Sequence, residues 1–157
     1  MFLKNVKFKD FDIQIIETSL KIYQAVSSSI VGQIVDYGLT PELALKSAKL
    51  SILKYYAMVS IYPVIIYQPF VNCVLFANDQ SENIFNDPYS MFDNLSLRHK
   101  KVLESFNQFE ITIDDKIYHC KAINYRIPDK LRYFQILDQS IVNTSYSCTF
   151  ENNQDEV

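Results

Sequence analysis

The chain has little glycine, little histidine and no tryptophan. It has two glycines in 157 residues, Gly32 and Gly38. A glycine-rich phosphate loop and a glycine-lined active-site turn are therefore excluded, because both need several residues free of the Cβ restriction. The three cysteines, Cys73, Cys120 and Cys148, show no C-x-x-C spacing. An odd count without framework spacing fits buried thiols in a reducing compartment. The first twelve residues, MFLKNVKFKDFD, place Lys4, Lys7, Lys9 and Asp10 where a signal peptide needs its apolar core. No secretory signal is expected.

An excess of charge of either sign is also lacking. The formal net charge is −3, and the closing ENNQDEV supplies Glu151, Asp155 and Glu156. Residues 1–150 are thus neutral, and 151–157 form an acidic tail. A neutral body exerts little pull on nucleic acid, which needs clustered Lys and Arg against phosphates. It also lacks the self-repulsion that keeps proteins apart, which favours work in contact with other proteins. The residue choice leans to Ile, Asn, Lys, Tyr and Phe. That is the bias of low-GC coding sequence and points to a virus, phage, organelle or AT-rich bacterium.

What is present is hydrophobic patterning over one domain, residues 1–150. FLKNVKF at 2–8 alternates as a short strand does. From Phe11 to Tyr37, Ile13, Ile16, Leu20, Tyr23, Ser27, Ile30, Ile34 and Tyr37 recur at three- and four-residue steps, which predicts a helix. Gly38 reads as its stop. Thr40-Pro41-Glu42 then reads as a helix start: a capping hydroxyl, a proline at the first helical position and an acid at the positive end. That second helix is expected to end before Pro63 and to form an antiparallel hairpin with the first.

VIIY at 64–67 and FVNCVLFA at 70–77 are expected as buried strands. Residues 78–87 read as a polar surface loop, and a further helix is expected over 94–106. QFEITIDDKIYHCKAINYRI reads as two strands around an Asp114-Asp115 turn, with further strands at 131–137 and 142–150. The fold class expected is α+β: an N-terminal antiparallel helical hairpin, a buried apolar segment, a further helix and a C-terminal antiparallel β-meander.

Candidate chemistry is thin. His119 and Cys120 could in principle bind metal or activate a thiolate, but neighbours on a strand point to opposite faces. Asp114-Asp115 fits a hairpin turn better than a catalytic carboxylate pair. Ser27-Ser28-Ser29 lacks a nucleophile elbow and suits a helix–helix contact. Arg98, His99, Lys100 and Lys101 fit the solvated face of a helix. No catalytic, cofactor or metal residue is assigned, no specific nucleic acid is expected, and the expectation is that the chain is not an enzyme.

The strongest signal is the uncharged run from Tyr55 to Asn78, which contains Pro63 and Pro69. Those prolines preclude one unbroken helix, so membrane insertion is the least favoured of its three fates, after core and protein interface. Tyr55, Tyr56, Tyr62, Tyr67 and Phe70 are the interface candidates, since aromatics concentrate at interface cores. The function expected is a non-enzymatic structural or assembly protein. It would dock with a protein partner or with copies of itself, in the cytoplasm or within a phage or viral particle. The alternative is a small soluble binding adaptor or viral effector that grips a target segment in an apolar groove.

Overall fold

The computed structural model describes residues 1–138 and 147–150. The chain divides into two compact units, Met1–Tyr56 and Ala57–Val157, with the division inside a helix. The tail at 151–157 lies outside the described residues.

The first unit is a four-stranded antiparallel meander followed by a helix. The strands are β1 (Phe2–Phe8), β2 (Phe11–Glu17), β3 (Tyr23–Ser29) and β4 (Gly32–Gly38), paired in chain order. Helix α1 (Pro41–Val59) follows. This overturns the expected helical hairpin, and with it the α+β class: the described chain is mostly strand, with one helix in its N-terminal part. The expected first helix is instead β2, β3 and β4.

The physical reason is that residues 11–37 satisfy two periods at once. Phe11, Ile13 and Ile15 alternate with Asp12 and Gln14, and the first set is buried while the second is exposed. Ala25 and Ser27 continue that inner face through the registers Ile15↔Ala25 and Ile13↔Ser27. The segment is rich in Ile and Val, which lose side-chain freedom in helices and pack well on pleated surfaces. Two breaks interrupt the apparent helix: Lys21 has φ 58 and Gly32 has φ 135, each at a hairpin turn, and Lys9, with φ 52, turns the chain just before it. Leu20, placed on the helical stripe by spacing, is exposed on the second turn.

Helix α1 begins where its capping residues predict. The Leu43 amide donates to Thr40 Oγ1 at 3.1 Å, and the Ala44 amide to the Thr40 carbonyl at 3.0 Å. Ala44, Ala48 and Ile52, four residues apart, lie on the sheet residues Phe11, Ile13, Ile15 and Ala25. The two alanines let the helix backbone come close. Gly38 is part of that approach: a Cβ there would stand 2.3 Å from the Ala44 nitrogen. Its role is space, not a left-handed helix stop, and it closes β4 opposite Tyr23.

The second unit holds a six-stranded sheet in the order β10-β7-β8-β9-β5-β6. The strands are β5 (Val64–Gln68), β6 (Cys73–Ala77), β7 (Gln108–Ile113), β8 (Lys116–Arg126), β9 (Lys130–Asp138) and β10 (Ser147–Phe150). β7, β8 and β9 form an antiparallel meander, with Asp114 at φ 51 and Asp115 at φ 67 in the two-residue turn. Two positive φ angles in succession are what the twist-matched hairpin turn requires. The meander is then extended on both sides. β5 joins β9 antiparallel, and β10 joins β7 in parallel, so β10 does not continue the antiparallel pattern expected for it. Parallel pairing with β7 needs a crossover, and no local pattern encodes one.

One face of this sheet carries Ile65, Tyr67, Phe109, Ile111, Cys120, Ala122, Phe134 and Ile136 in a core closed by Phe85, Phe92, Val102 and Leu103. Val102 and Leu103 come from α3 (Leu97–Ser105), while Phe85 follows α2 (Asp79–Glu82) and Phe92 follows a 3₁₀ turn at Pro88–Ser90. The stretch expected as a polar surface loop is thus partly structural, with Asn78, Ser81 and Phe85 buried. Asn78 is its anchor. Its Oδ1 accepts from the Val64 and Ser81 amides at 2.9 and 3.1 Å, and its Nδ2 donates to the Ala57 and Tyr62 carbonyls at 2.8 Å each. A buried side-chain amide is tolerated because these bonds replace water.

Candidate interaction surface

The structure separates the five aromatic residues that the sequence groups. Tyr55 and Tyr56 lie on α1, half-buried, edge-on to Phe11 with ring centroids at 5.9 and 6.3 Å. The Tyr56 hydroxyl donates to Asp10 Oδ2 at 2.7 Å. Tyr67 lies in the core of the second unit. Tyr62 is exposed beyond the end of α1, and Phe70 is exposed at the tip of the β5–β6 hairpin.

Phe70 stands out because its backbone is held while its ring is free. The ring is 92% exposed. Pro69 before it is buried, and the Asn72 amide closes the turn onto the Pro69 carbonyl at 3.3 Å. Asn72 takes φ 51, a conformation asparagine tolerates better than most residues. Below the turn, Val64 to Tyr67 are all buried, so the hairpin is rooted in the core. Val71 beside Phe70 is also exposed. A rigid turn that presents an unburied phenylalanine resembles the aromatic anchors that dominate interface energetics.

A groove of about 640 Å³ lies elsewhere in the second unit, lined by Phe85, Met91, Leu95, His99 and Phe150 with Asp87, Ser90 and Thr149 among its polar members. Two of those polar groups are already engaged in holding the chain. Asp87 accepts from the Tyr89 amide at 3.2 Å and from Ser90 Oγ at 2.7 Å, which fixes the 3₁₀ turn. Ser96, also on the wall, caps α3 by accepting from the His99 amide at 3.2 Å.

The remaining candidates do not converge. Cys120 faces the core, opposite Phe109 in register, while His119 sits opposite Glu110 on the other face with its Nδ1 unpartnered among the described residues. Among the described residues no group of three or more His, Cys, Asp or Glu could hold a metal ion. Asp114 and Asp115 form the hairpin turn, and Ser27 to Ser29 lie on β3, where only Ser27 is buried. Arg98 and Lys101 are exposed on α3. In the first unit, burial raises the carboxyl pKa of Asp36 against the opposing effects of the Ser51 hydrogen bond and Lys54.

Burial also sets the thiols apart. It pushes the Cys148 thiol up to about 12 and raises Cys120 well above the ordinary range, while Cys73 is exposed. Below pH 9 the native protein should therefore react with an alkylating reagent at Cys73 alone, and at all three cysteines once denatured. Mass spectrometry of the labelled protein reads this directly, and rapid native labelling of Cys120 or Cys148 would contradict the packing described.

The polar group that sequence reasoning missed altogether is Arg132, which is 0% exposed. Its Nε donates to Tyr67 Oη at 3.1 Å, one terminal nitrogen donates to Asn124 Oδ1 at 2.8 Å, and the other donates to the Phe106 carbonyl. Tyr67 Oη in turn donates to the Leu103 carbonyl at 2.6 Å. Lys130 Nζ reaches the Glu104 carbonyl at 2.8 Å. Two cations thus serve the C-terminal end of α3, where unpaired carbonyls carry partial negative charge. Burial raises the Tyr67 hydroxyl pKa well beyond its usual range despite Arg132, so it stays a donor. The only sequence signal was an arginine inside the strand LRYFQIL, which alternation alone assigns to neither face.

Among the described residues no helix is long and apolar enough to cross a membrane. No family model matches the chain, and no curated protein or solved structure proves similar to it.

Proposed function

We propose that this chain is a non-enzymatic assembly protein that docks onto a protein partner within a larger complex, such as a phage or viral particle. The observation that carries this reading is Phe70, 92% exposed on a hairpin whose β5 arm is buried from Val64 to Tyr67. Leaving a large aromatic ring in water forgoes roughly 2–3 kcal/mol of burial, and a turn closed around Pro69 and Asn72 does not need that ring for its own fold. Holding the ring in one place lowers the entropy cost when a partner's pocket takes it. Three free cysteines, two of them buried, accord with work in a reducing compartment or inside a particle.

Phe70→Asp should leave unfolding stability within about 0.5 kcal/mol of wild type, as exposed substitutions do. The same change should weaken partner binding by roughly 30-fold or more, the scale of a lost aromatic anchor. Immobilised wild-type and variant chains, compared by mass spectrometry of what each retains from the host, test it. If no protein is retained by wild type and lost from the variant, the docking reading fails.

A second reading, a binding adaptor that grips a target segment, draws on the groove between the Phe85–His99 region and β10. Phe85, Met91, Leu95 and Phe150 give it an apolar floor. Its mixed polar wall and the structural engagement of Asp87 and Ser96 make it the weaker alternative.

A further inference from the structure

The first unit offers a different surface, and it stands whether or not the Phe70 apex docks. β4 is an edge strand: among the described residues its only strand neighbour is β3. Natural edge strands are protected by lysines, prolines, bulges or inward-pointing charges, because a bare edge templates pairing with another chain. The opposite edge, β1, carries Lys4 and Lys7 and a register shift between Phe2 and Lys4. β4 reads GQIVDYG and has neither lysine nor proline. Its one protective feature is the inward-pointing Asp36, which is engaged within its own chain, accepting from Ser51 Oγ at 2.8 Å. Val35, 45% exposed, and Tyr37 face outward, and the turn leading into β4 presents Ile30, 105% exposed.

We infer that β4 pairs antiparallel with β4 of a second copy of this chain, about a two-fold axis at Val35. Charge does not oppose a second copy: no Asp, Glu, Lys or Arg occurs from Ile22 through Val35, and the one charged residue of β4, Asp36, stands opposite Ile34 of the second copy when Val35 faces Val35. β1 paired with itself would crowd two lysines from each copy along one seam. The register is also self-complementary. Val35 is the midpoint of Gly32–Gly38, so an antiparallel pair sets Val35 against Val35, Gln33 against Tyr37, and a glycine against a glycine at each end. A two-fold contact of this kind uses the same patch on both chains and closes at a dimer. The two meanders then form one sheet of eight strands, with the outward residues Val26, Val35 and Tyr37 on a continuous face.

Sedimentation velocity on the full chain over a concentration series tests this. Wild type and Phe70→Asp should both sediment at twice the chain mass. Val35→Lys and Val35→Asp should each raise the dimer dissociation constant about tenfold or more, because like charges then face each other across the axis. Mixing the two variants should restore the dimer, since lysine then faces aspartate. As a second measurement, Val35→Cys in a Cys73→Ser background should oxidise to a covalent dimer, because directly opposed residues bring their Cβ atoms within disulfide range. A wild-type monomer at every concentration would overturn the inference. So would a dimer indifferent to Val35→Lys, a variant mixture that stays monomeric, or a Val35→Cys chain that forms no cross-link.

Discussion

Arg132→Ala is expected to destabilise the second unit by about 4 kcal/mol or more, the combined scale of lost charged hydrogen bonds and a buried cavity. The side chain is fully buried and donates to Tyr67 Oη, Asn124 Oδ1 and the Phe106 carbonyl. Alanine removes the guanidinium donor from the half-buried Phe106 carbonyl, from the exposed Asn124 side chain and from the buried Tyr67 hydroxyl, and leaves a cavity beside Tyr67. It also removes the positive charge that faces the C-terminal carbonyls of α3. Against a typical total stability of about 5–15 kcal/mol, such a loss approaches unfolding.

Two further variants apportion the effect. Arg132→Met restores most of the volume but no donor, so it should recover the cavity part only. Tyr67→Phe removes the 2.6 Å bond to the Leu103 carbonyl while keeping the ring, and should cost about 1–3 kcal/mol. Urea titrations followed by circular dichroism give these differences. An Arg132→Ala loss below about 1 kcal/mol would mean that the network is not what holds α3 to the sheet.

Gly38→Ala is the second large effect expected, about 3 kcal/mol, at the upper end of what overpacking usually costs. The added Cβ would meet Ala44 N at 2.3 Å, Leu43 C at 2.7 Å and Ala44 Cα at 2.8 Å. All three are backbone atoms in the first turn of α1, so no side-chain rotation relieves the contact. The helix must move off the sheet, and that opens the layer of Ala44, Ala48 and Ile52 against Phe11, Ile13 and Ile15.

Gly32→Ala is the informative comparison. Nothing lies within 4 Å of a Cβ there, but φ is 135°, so the cost is strain at a hairpin turn, about 1–3 kcal/mol. The two glycines thus act through different physics. A third change, Ala44→Gly, should partly rescue Gly38→Ala only if Cβ crowding were with that side chain. Since the clash is with backbone, no rescue is expected in thermal melts. Full rescue would place the clash elsewhere.

The candidate surface was legible in the sequence only as a region. An uncharged run from Tyr55 to Asn78 announces burial or contact, but not which rings go where. Strand geometry made that division. Tyr67, on the inward side of β5, stacks edge-on with Phe92 and Phe134 at 5.4 and 6.1 Å, whereas Phe70, three residues on, lies in the turn. The exposed β4 edge was hidden for a different reason: residues 11–37 also fit a helical period, and a helix has no edge.

The elements that sequence alone determined are those governed by neighbours in the chain. Thr40-Pro41 starts α1 because capping and a fixed proline φ act within one turn. Asp114-Asp115 bends the β7–β8 hairpin because both residues tolerate positive φ. Pro63 and Pro69 bracket β5 because neither can donate to a ladder inside it. Tertiary structure decided everything that depends on distant partners. Residues 11–37 became strands because Phe11, Ile13, Ile15 and Ala25 meet α1 on one face, a choice that local periodicity leaves open. β10 runs parallel to β7, and Arg132 finds Phe106 and Tyr67, only once the sheet has formed. Long-range pairing costs chain entropy that no short window of sequence records, and it is recovered only when the whole layer is buried.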